Sequence, residues 1–443
     1  MNTLENLFSS LKETENGDLS YNKVSNNELL NILFLTEYYQ KHIDEVHIGT
    51  SDKEKLFSRF IRDPRYGLGR RDLGRELMLQ SQVSIQDTVK SGRVDDLFYK
   101  IEIKGFEYFS ELVNYLRTQI KEGNELVKKW MPRYSSKNKD LARLFAKAFR
   151  LNKQEYGHFI KCNTTENKLS RHNENTIEFE KVPSLAMIKY ANAFRTKEST
   201  KERYLKYLED VKSGKKDLKI STTTVYDIYK NRKRIDADLF FSRIEKIQGS
   251  WIPIVDTSGS MESDDAMGKA LAIGHYLSKC STYCPNKVIS FSSKPQLITL
   301  GKSNCDSWFA RENPPKSTYE VEINSMFTGD YTNTDFGKVM QLLSNLEGNM
   351  PQYLIVLSDM EFDKGSSMSK DRTMTLFKEK GYSTRIIWWN LNSRNITCPE
   401  MDKDGNIFIS GYNPLILKYL ESGFNGENFL NRLLLEYKAK MCM

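Results

Sequence analysis

An apolar run that halts on acid and hydroxyl side chains constrains this chain more than any other stretch: Trp251-Ile-Pro-Ile-Val-Asp256-Thr-Ser258-Gly-Ser260-Met261. Its first five residues carry the pattern of a short strand buried on both faces. In a doubly wound α/β sheet the carboxyl ends of such strands face the crevice where ligands sit. One carboxylate and two hydroxyls delivered there form a cluster of hard oxygen donors, suited to Mg²⁺ rather than to a soft metal. The same residues admit a plainer reading, in which Asp256 caps the following helix and the hydroxyls bond to backbone.

Two later stretches extend the set. Tyr331-Thr-Asn-Thr334-Asp335-Phe336 precedes a helical pattern at Phe336, Val339, Met340 and Leu343 and offers a further hydroxyl. Tyr353-Leu-Ile-Val-Leu-Ser358-Asp359-Met360 reads as a second buried strand, this one ending on Ser-Asp. Asp-x-Ser-x-Ser, then Thr, then Asp at a strand end resembles, in that order, the metal-ion-dependent adhesion site (MIDAS) of von Willebrand factor A (vWA) domains. The resemblance implies that Ser258 and Ser260 touch Mg²⁺ or Mn²⁺ directly and that Thr334 ligates it directly or through water. Asp256 and Asp359 would hold the bound waters.

Charge is unevenly spread along the 443 residues, a length that suggests two domains. Residues 1–250 carry 46 Lys and Arg against 36 Asp and Glu, whereas residues 251–443 carry 20 against 22. A basic half joined to a slightly acidic one points to an anionic partner for the first, or to no more than a solvated Lys-rich surface. The six cysteines form no Cys-x-x-Cys, and no histidine stands at zinc-ligand spacing beside Cys280 and Cys284. Those two, one helical turn apart, read as buried thiols. The N-terminus lacks a basic region followed by an apolar core, and no apolar run approaches a membrane span. The expectation is a soluble, reduced, cytoplasmic protein without membrane contact.

The first half reads as a succession of short helices, with signals near residues 29–35, 52–61, 97–99, 106–120, 141–149, 153–160, 182–194, 200–213 and 225–229. Residues 1–20 suggest a short helix and a loop. Basic loops interrupt the helices. Arg62 to Arg75 interleaves Arg65, Arg70, Arg71 and Arg75 with three glycines, a loop whose guanidinium groups can grip phosphates or pair with Asp63 and Asp72. Lys128-Lys129-Trp130-Met-Pro-Arg133-Tyr134 alternates cations with aromatic rings, a mix that suits RNA, although Trp130 itself reads as a core residue. Lys215 and Lys216 lie in a basic turn, and Arg232 and Lys233 in a basic run after a helix.

Gly-Arg-Arg-Asp, Lys-Trp-Met-Pro-Arg133, Val182-Pro-Ser-Leu-Ala-Met, Val211-Lys-Ser-Gly-Lys and the three metal-site stretches follow one another in an order that resembles relatives of the TROVE-plus-vWA (Ro-type) ribonucleoproteins. That resemblance implies an N-terminal HEAT-like helical repeat, a ring or solenoid, over residues 1–250. A vWA domain, a Rossmann-like doubly wound α/β fold, would occupy residues 251–443. It further implies a basic helical ring that holds structured or misfolded RNA, with the vWA domain closing it or docking a partner through that partner's acidic residue. A metal-dependent interaction or assembly factor without nucleic acid is the alternative. An enzyme ranks lowest, because no nucleophile–base pair and no Gly-x-x-x-x-Gly-Lys-Ser/Thr motif is visible. Beyond residue 250 the pattern alternates: helix 267–276, strand 288–292, hairpin partner 296–300, loop 301–330, strand 384–391, edge strand 406–410, and helices 415–420 and 429–437.

Overall fold

The computed structural model describes residues 11–13, 19–21, 84–90, 94–99, 101–170, 173–220, 223–291, 294–301, 317–327, 335–346, 348–360, 366–392, 406–410 and 439. The helical signals between residues 22 and 61, the loop carrying Arg65, Arg70, Arg71 and Arg75, and the helices expected after 414 lie outside the described residues. Those that are described form two compact units. One consists of residues 84–186 and 193–210; the other of residues 211–410 with 187–192 and the strands at 11–21.

The first unit is helical: α1 (Ile85–Lys90), α2 (Val94–Tyr99), α3 (Ile101–Lys121), α4 (Glu125–Trp130), α5 (Lys139–Phe149), α6 (Lys153–Phe159) and α7 (Thr165–Ser170). The chain continues through α8 (Ser184–Lys189), α9 (Ala191–Thr196) and α10 (Glu198–Lys212). One helix expected over 182–194 is thus two, broken at Tyr190. Leu97, Leu112, Leu116, Val127, Phe145, Phe149 and Tyr156 make one continuous core, and Trp130 packs partly buried against it. Asn124 and Asn152 cap α4 and α6, the second in a reciprocal box with Glu155. Phe179, Phe194, Tyr204 and Tyr207 form a second, aromatic cluster.

The second unit contains the sheet. Strands β1 (Leu11–Glu13) and β2 (Leu19–Tyr21) pair antiparallel where helix and loop are expected; Asn16-Gly17 between them is a hairpin signal. Helices α11 (Val225–Asn231) and α12 (Ala237–Ser242) precede β3 (Trp251–Asp256), α13 (Ala266–Cys280), β4 (Lys287–Phe291) and β5 (Gln296–Thr299). Then come α14 (Thr318–Ser325), α15 (Phe336–Ser344), β6 (Tyr353–Ser358), α16 (Ser366–Glu379), β7 (Arg385–Asn390) and β8 (Ile407–Ser410). Strand order is β5-β4-β3-β6-β7-β8, parallel except for the edge strand β5. The α/β architecture expected of this half is present, joined to a helical N-terminal region.

Alternate side chains of the strands build two layers. Ile252, Ile254, Ile289, Phe291, Leu354, Val356, Ile386 and Trp388 pack with Phe336, Val339, Met340 and Leu343 of α15 and Phe377 of α16. The opposite face meets α13 so closely that a Cβ on Gly274 would lie 2.5 Å from Val255 Cγ2. Pro253 sits inside the central strand, where a missing N–H normally breaks the ladder. Thr257 N–H donates to the Phe291 carbonyl, so by alternation the amide positions of 253 and 255 also face β4. Pairing with β4 begins only at Ile254, so Pro253 withholds a donor just below the ladder.

Two further expectations need correction here. Residues 318–325 form α14 within the stretch expected to be a loop, capped by Ser317, whose hydroxyl accepts from Glu320 N–H. Cys284 does not share a helix with Cys280: α13 ends at Cys280, and Cys284 lies in the turn beyond it.

Candidate metal centre

The strand order reverses direction at β3, which has β4 on one side and β6 on the other. Crevices of doubly wound sheets open at this switch point, at the carboxyl ends of the strands. Asp256 closes β3, and Ser358 closes β6 immediately before Asp359. Two pieces of chain separated by about a hundred residues therefore bring carboxylates to one sheet edge, both almost wholly buried.

Asp256 is held from two directions. Its Oδ1 accepts the Ser258 N–H at 2.9 Å, and its Oδ2 accepts the Ser358 hydroxyl at 2.6 Å. Ser358 Oγ in turn accepts the N–H of Met360, which takes a left-handed φ of 68°. Burial, and then the neighbouring Asp359 carboxylate, push the Asp256 carboxyl up from 3.8 to about 7. Two buried carboxylates in each other's field are costly unless one takes up a proton or a cation joins them.

The hydroxyls settle part of the plainer reading. One Asp256 oxygen does cap backbone, at Ser258. Ser258, however, begins a 3₁₀ segment, Gly259–Asp265, without its hydroxyl capping it. That hydroxyl lies 3.1 Å from Ser260 Oγ instead. Adjacent ligands of an octahedral Mg²⁺ stand about 2.9 Å apart, given ion–oxygen distances of roughly 2.0–2.1 Å. The oxygen pair and the hard donor chemistry both fit such an ion. Among the described residues no group of three or more His, Cys, Asp or Glu side chains gathers that could hold a metal. Thr334 lies outside the described residues. Ser358 is not among the candidate ligands read from sequence; its signal is a hydroxyl at a strand end beside an acid, and only the fold shows which carboxylate it binds.

The candidate RNA contacts divide between the two units. In the helical unit, Lys128 is half-buried and pairs with Glu125 at 3.1 Å, and exposed Lys129 reaches Glu166 at 3.9 Å. Arg133 donates to Cys162 Sγ at 3.4 Å. The Tyr134 ring lies 5.9 Å from that of Tyr156, with Lys153 Nζ 5.6 Å above it. In the sheet unit, Arg232 lies 4.1 Å over the Tyr229 ring and donates to the Tyr229 carbonyl at 2.7 Å. Lys215 and Lys233 are exposed, and Lys216 is half-buried. The loops therefore offer cations to solvent, while several of the residues singled out are engaged inside their own unit. No helix among the described residues is long and apolar enough to cross a membrane.

Comparison with known proteins finds two family models, both described as domains of unknown function: DUF2828 over residues 129–246 and DUF7788 over residues 250–433. An uncharacterised protein of Acanthamoeba polyphaga mimivirus is 24% identical over 300 residues, 59% of this chain. That match spans 49% of the viral protein, so the chain covers about half the length of this curated relative. Among solved structures, the crystal structure of the Deinococcus radiodurans Ro (RSR) protein aligns over 85% of this chain and 95% of its own. The sequence identity is 12% and the TM-score 0.41.

Proposed function

We propose that the sheet unit is a divalent-cation-dependent recognition module and that the basic loops of the chain bind RNA, as in a ribonucleoprotein component. The observation that carries the first part is the Ser258–Ser260 hydroxyl pair standing beside buried Asp256 at the switch point of the sheet. Ser258 and Ser260, with Thr334, would hold Mg²⁺ or Mn²⁺; Asp256 and Asp359 would hold its waters. Such an ion would give a partner's carboxylate a hard cation to bind. The chain's own part is to fix the hydroxyls through Asp256, to anchor Asp256 through Ser358, and to keep bulk water from the carboxylates by burial.

Recognition is favoured over catalysis by the surroundings. Each Asp256 oxygen already anchors a piece of the chain, the Ser258 N–H and the Ser358 hydroxyl, which suits it to holding the loop in place. His275, the one described histidine of the sheet unit, is tied to Glu322 at 2.7 Å between the rings of Phe241 and Tyr319. Cytoplasmic residence accompanies this reading. The RNA part is supported by the basic excess of the first 250 residues and by exposed Lys129, Lys215 and Lys233. A second reading, a metal-dependent interaction factor without nucleic acid, is favoured by the internal engagement of Lys128, Arg133 and Arg232. Titration of the full chain with Mg²⁺ in a calorimeter, and with RNA at graded salt, tests both parts. Saturable Mg²⁺ binding lost in Ser258→Ala supports the metal reading, and salt-dependent RNA affinity decides between the two partners.

A further inference from the structure

The segment that carries Ser260 does not end where it begins. It runs as a 3₁₀ turn from Gly259 to Asp265 and hands the chain to α13. Asp265 stands at the N-cap of α13, where an aspartate normally accepts a backbone N–H. Here it makes no such bond. Its carboxylate accepts the hydroxyl of Tyr226 on α11, thirty-nine residues earlier in the chain. Asp265 also holds a left-handed φ of 56°, a conformation most side chains avoid. Gly268, one turn into α13, leaves the room this requires. A Cβ there would lie 2.4 Å from Asp265 Oδ1 and 2.7 Å from the Tyr229 ring.

The other end of the contact is stiff. Thr224 and Asp227 form a reciprocal capping box at the start of α11, and the Tyr226 and Tyr229 rings stack at 6.4 Å with planes 17° apart. Lys230 lies over the first ring and Arg232 over the second. A rigid phenol thus holds a carboxylate that has given up its local bond, on a backbone that resists its own conformation.

We infer that Tyr226 is a positioning residue for the cation loop: through Asp265 it fixes the far end of the segment whose near end presents Ser258 and Ser260. The inference rests on the proposed metal site and deepens it, extending the machinery of that site to a helix outside the sheet. Without the hydroxyl, Asp265 is free to relax out of the left-handed region, and the Ser260 hydroxyl must be ordered by the ion itself. That ordering cost appears as lost affinity.

Mg²⁺ affinity of the full chain by calorimetry, measured well below the melting temperature, tests this. Tyr226→Phe should weaken binding about five- to tenfold, within the usual range of coupling between linked sites. Asp265→Ala should weaken it similarly, and the double variant should be no worse than either single one. Asp265→Asn is the discriminating variant, because it keeps an acceptor for Tyr226 and tolerates the left-handed backbone while discarding the charge. Affinity near the wild-type value in Asp265→Asn supports a positioning role. Weak binding in Asp265→Asn with normal binding in Tyr226→Phe means that Asp265 acts only as a nearby negative charge and overturns the inference. Equal affinity in all variants also overturns it and leaves the metal site standing, whereas a wild-type chain that binds no Mg²⁺ removes the metal reading and this inference together.

Discussion

Replacing Asp256 by Asn should stabilise the metal-free protein and abolish its response to Mg²⁺. Asp256 is fully buried, and burial with the Asp359 field raises its carboxyl from 3.8 to about 7. At about 1.4 kcal/mol per unit, keeping it ionised at pH 8 costs the metal-free fold about 4 kcal/mol. Asn retains an acceptor for the Ser258 N–H, but its amide NH₂ replaces the oxygen that accepts the Ser358 hydroxyl, so that O–H loses its partner. That mismatch returns about 1–2 kcal/mol, leaving a net gain of about 2–3 kcal/mol. At roughly 2–4 °C per kcal/mol, the melting point should rise about 4–12 °C in EDTA. Trp251, Trp388 and Trp389 are buried in the sheet unit, so tryptophan fluorescence follows its unfolding. Mg²⁺ at a hundredfold over Kd should stabilise the wild type by about 2.7 kcal/mol and the variant not at all. A variant no more stable than wild type in EDTA, or one stabilised equally by Mg²⁺, would refute the reasoning.

Three further outcomes follow from other parts of the molecule. Asp238 of α12 accepts the N–H groups of Thr318 and Tyr319 at the start of α14, so Asp238→Ala should lower urea stability by about 1–2 kcal/mol. His275 has its pKa lowered by burial, opposed by Glu322 and reinforced by Lys279, with Asp238 also in its field. Since the unfolded chain takes up that proton first, stability should be complete above about pH 6.5 and fall as the pH drops below it. Urea unfolding of His275→Gln between pH 8 and 5.5 should show a flatter dependence than wild type. Changing exposed Lys129, Lys215 and Lys233 to Ala should reduce the salt slope of RNA affinity by roughly 0.7–0.9 for each phosphate no longer neutralised, seen in filter binding from about 50 to 300 mM salt. Arg232→Ala, whose guanidinium is engaged on Tyr229, should change that slope less.

The strands are legible because each of β3, β4, β6 and β7 is a short apolar run without helical period, and burial on both faces leaves that trace in sequence. Asp256, Ser258 and Ser260 are legible as a group because they follow one such run within five residues. Helix α14 is not, since it buries chiefly Tyr319, Glu320 and Ile323 in a polar stretch. The Ser317-x-x-Glu320 spacing is its only announcement. Ser358 holding Asp256, Asp238 holding α14 and Tyr226 holding Asp265 are interactions across 102, 80 and 39 positions. No local pattern encodes them, because each depends on how the sheet and helices pack. The exposure of the basic residues is equally hidden, as a lysine over a ring and a lysine in solvent look alike in sequence.

Crystals of the full chain grown with Mn²⁺, measured at the manganese absorption edge, test the cation site most directly. One anomalous peak is expected at the carboxyl edge of β3 and β6, within bonding distance of both Ser258 Oγ and Ser260 Oγ, and absent in Ser258→Ala. A peak elsewhere, or none at saturating Mn²⁺ with the same hydroxyl pair intact, would contradict it.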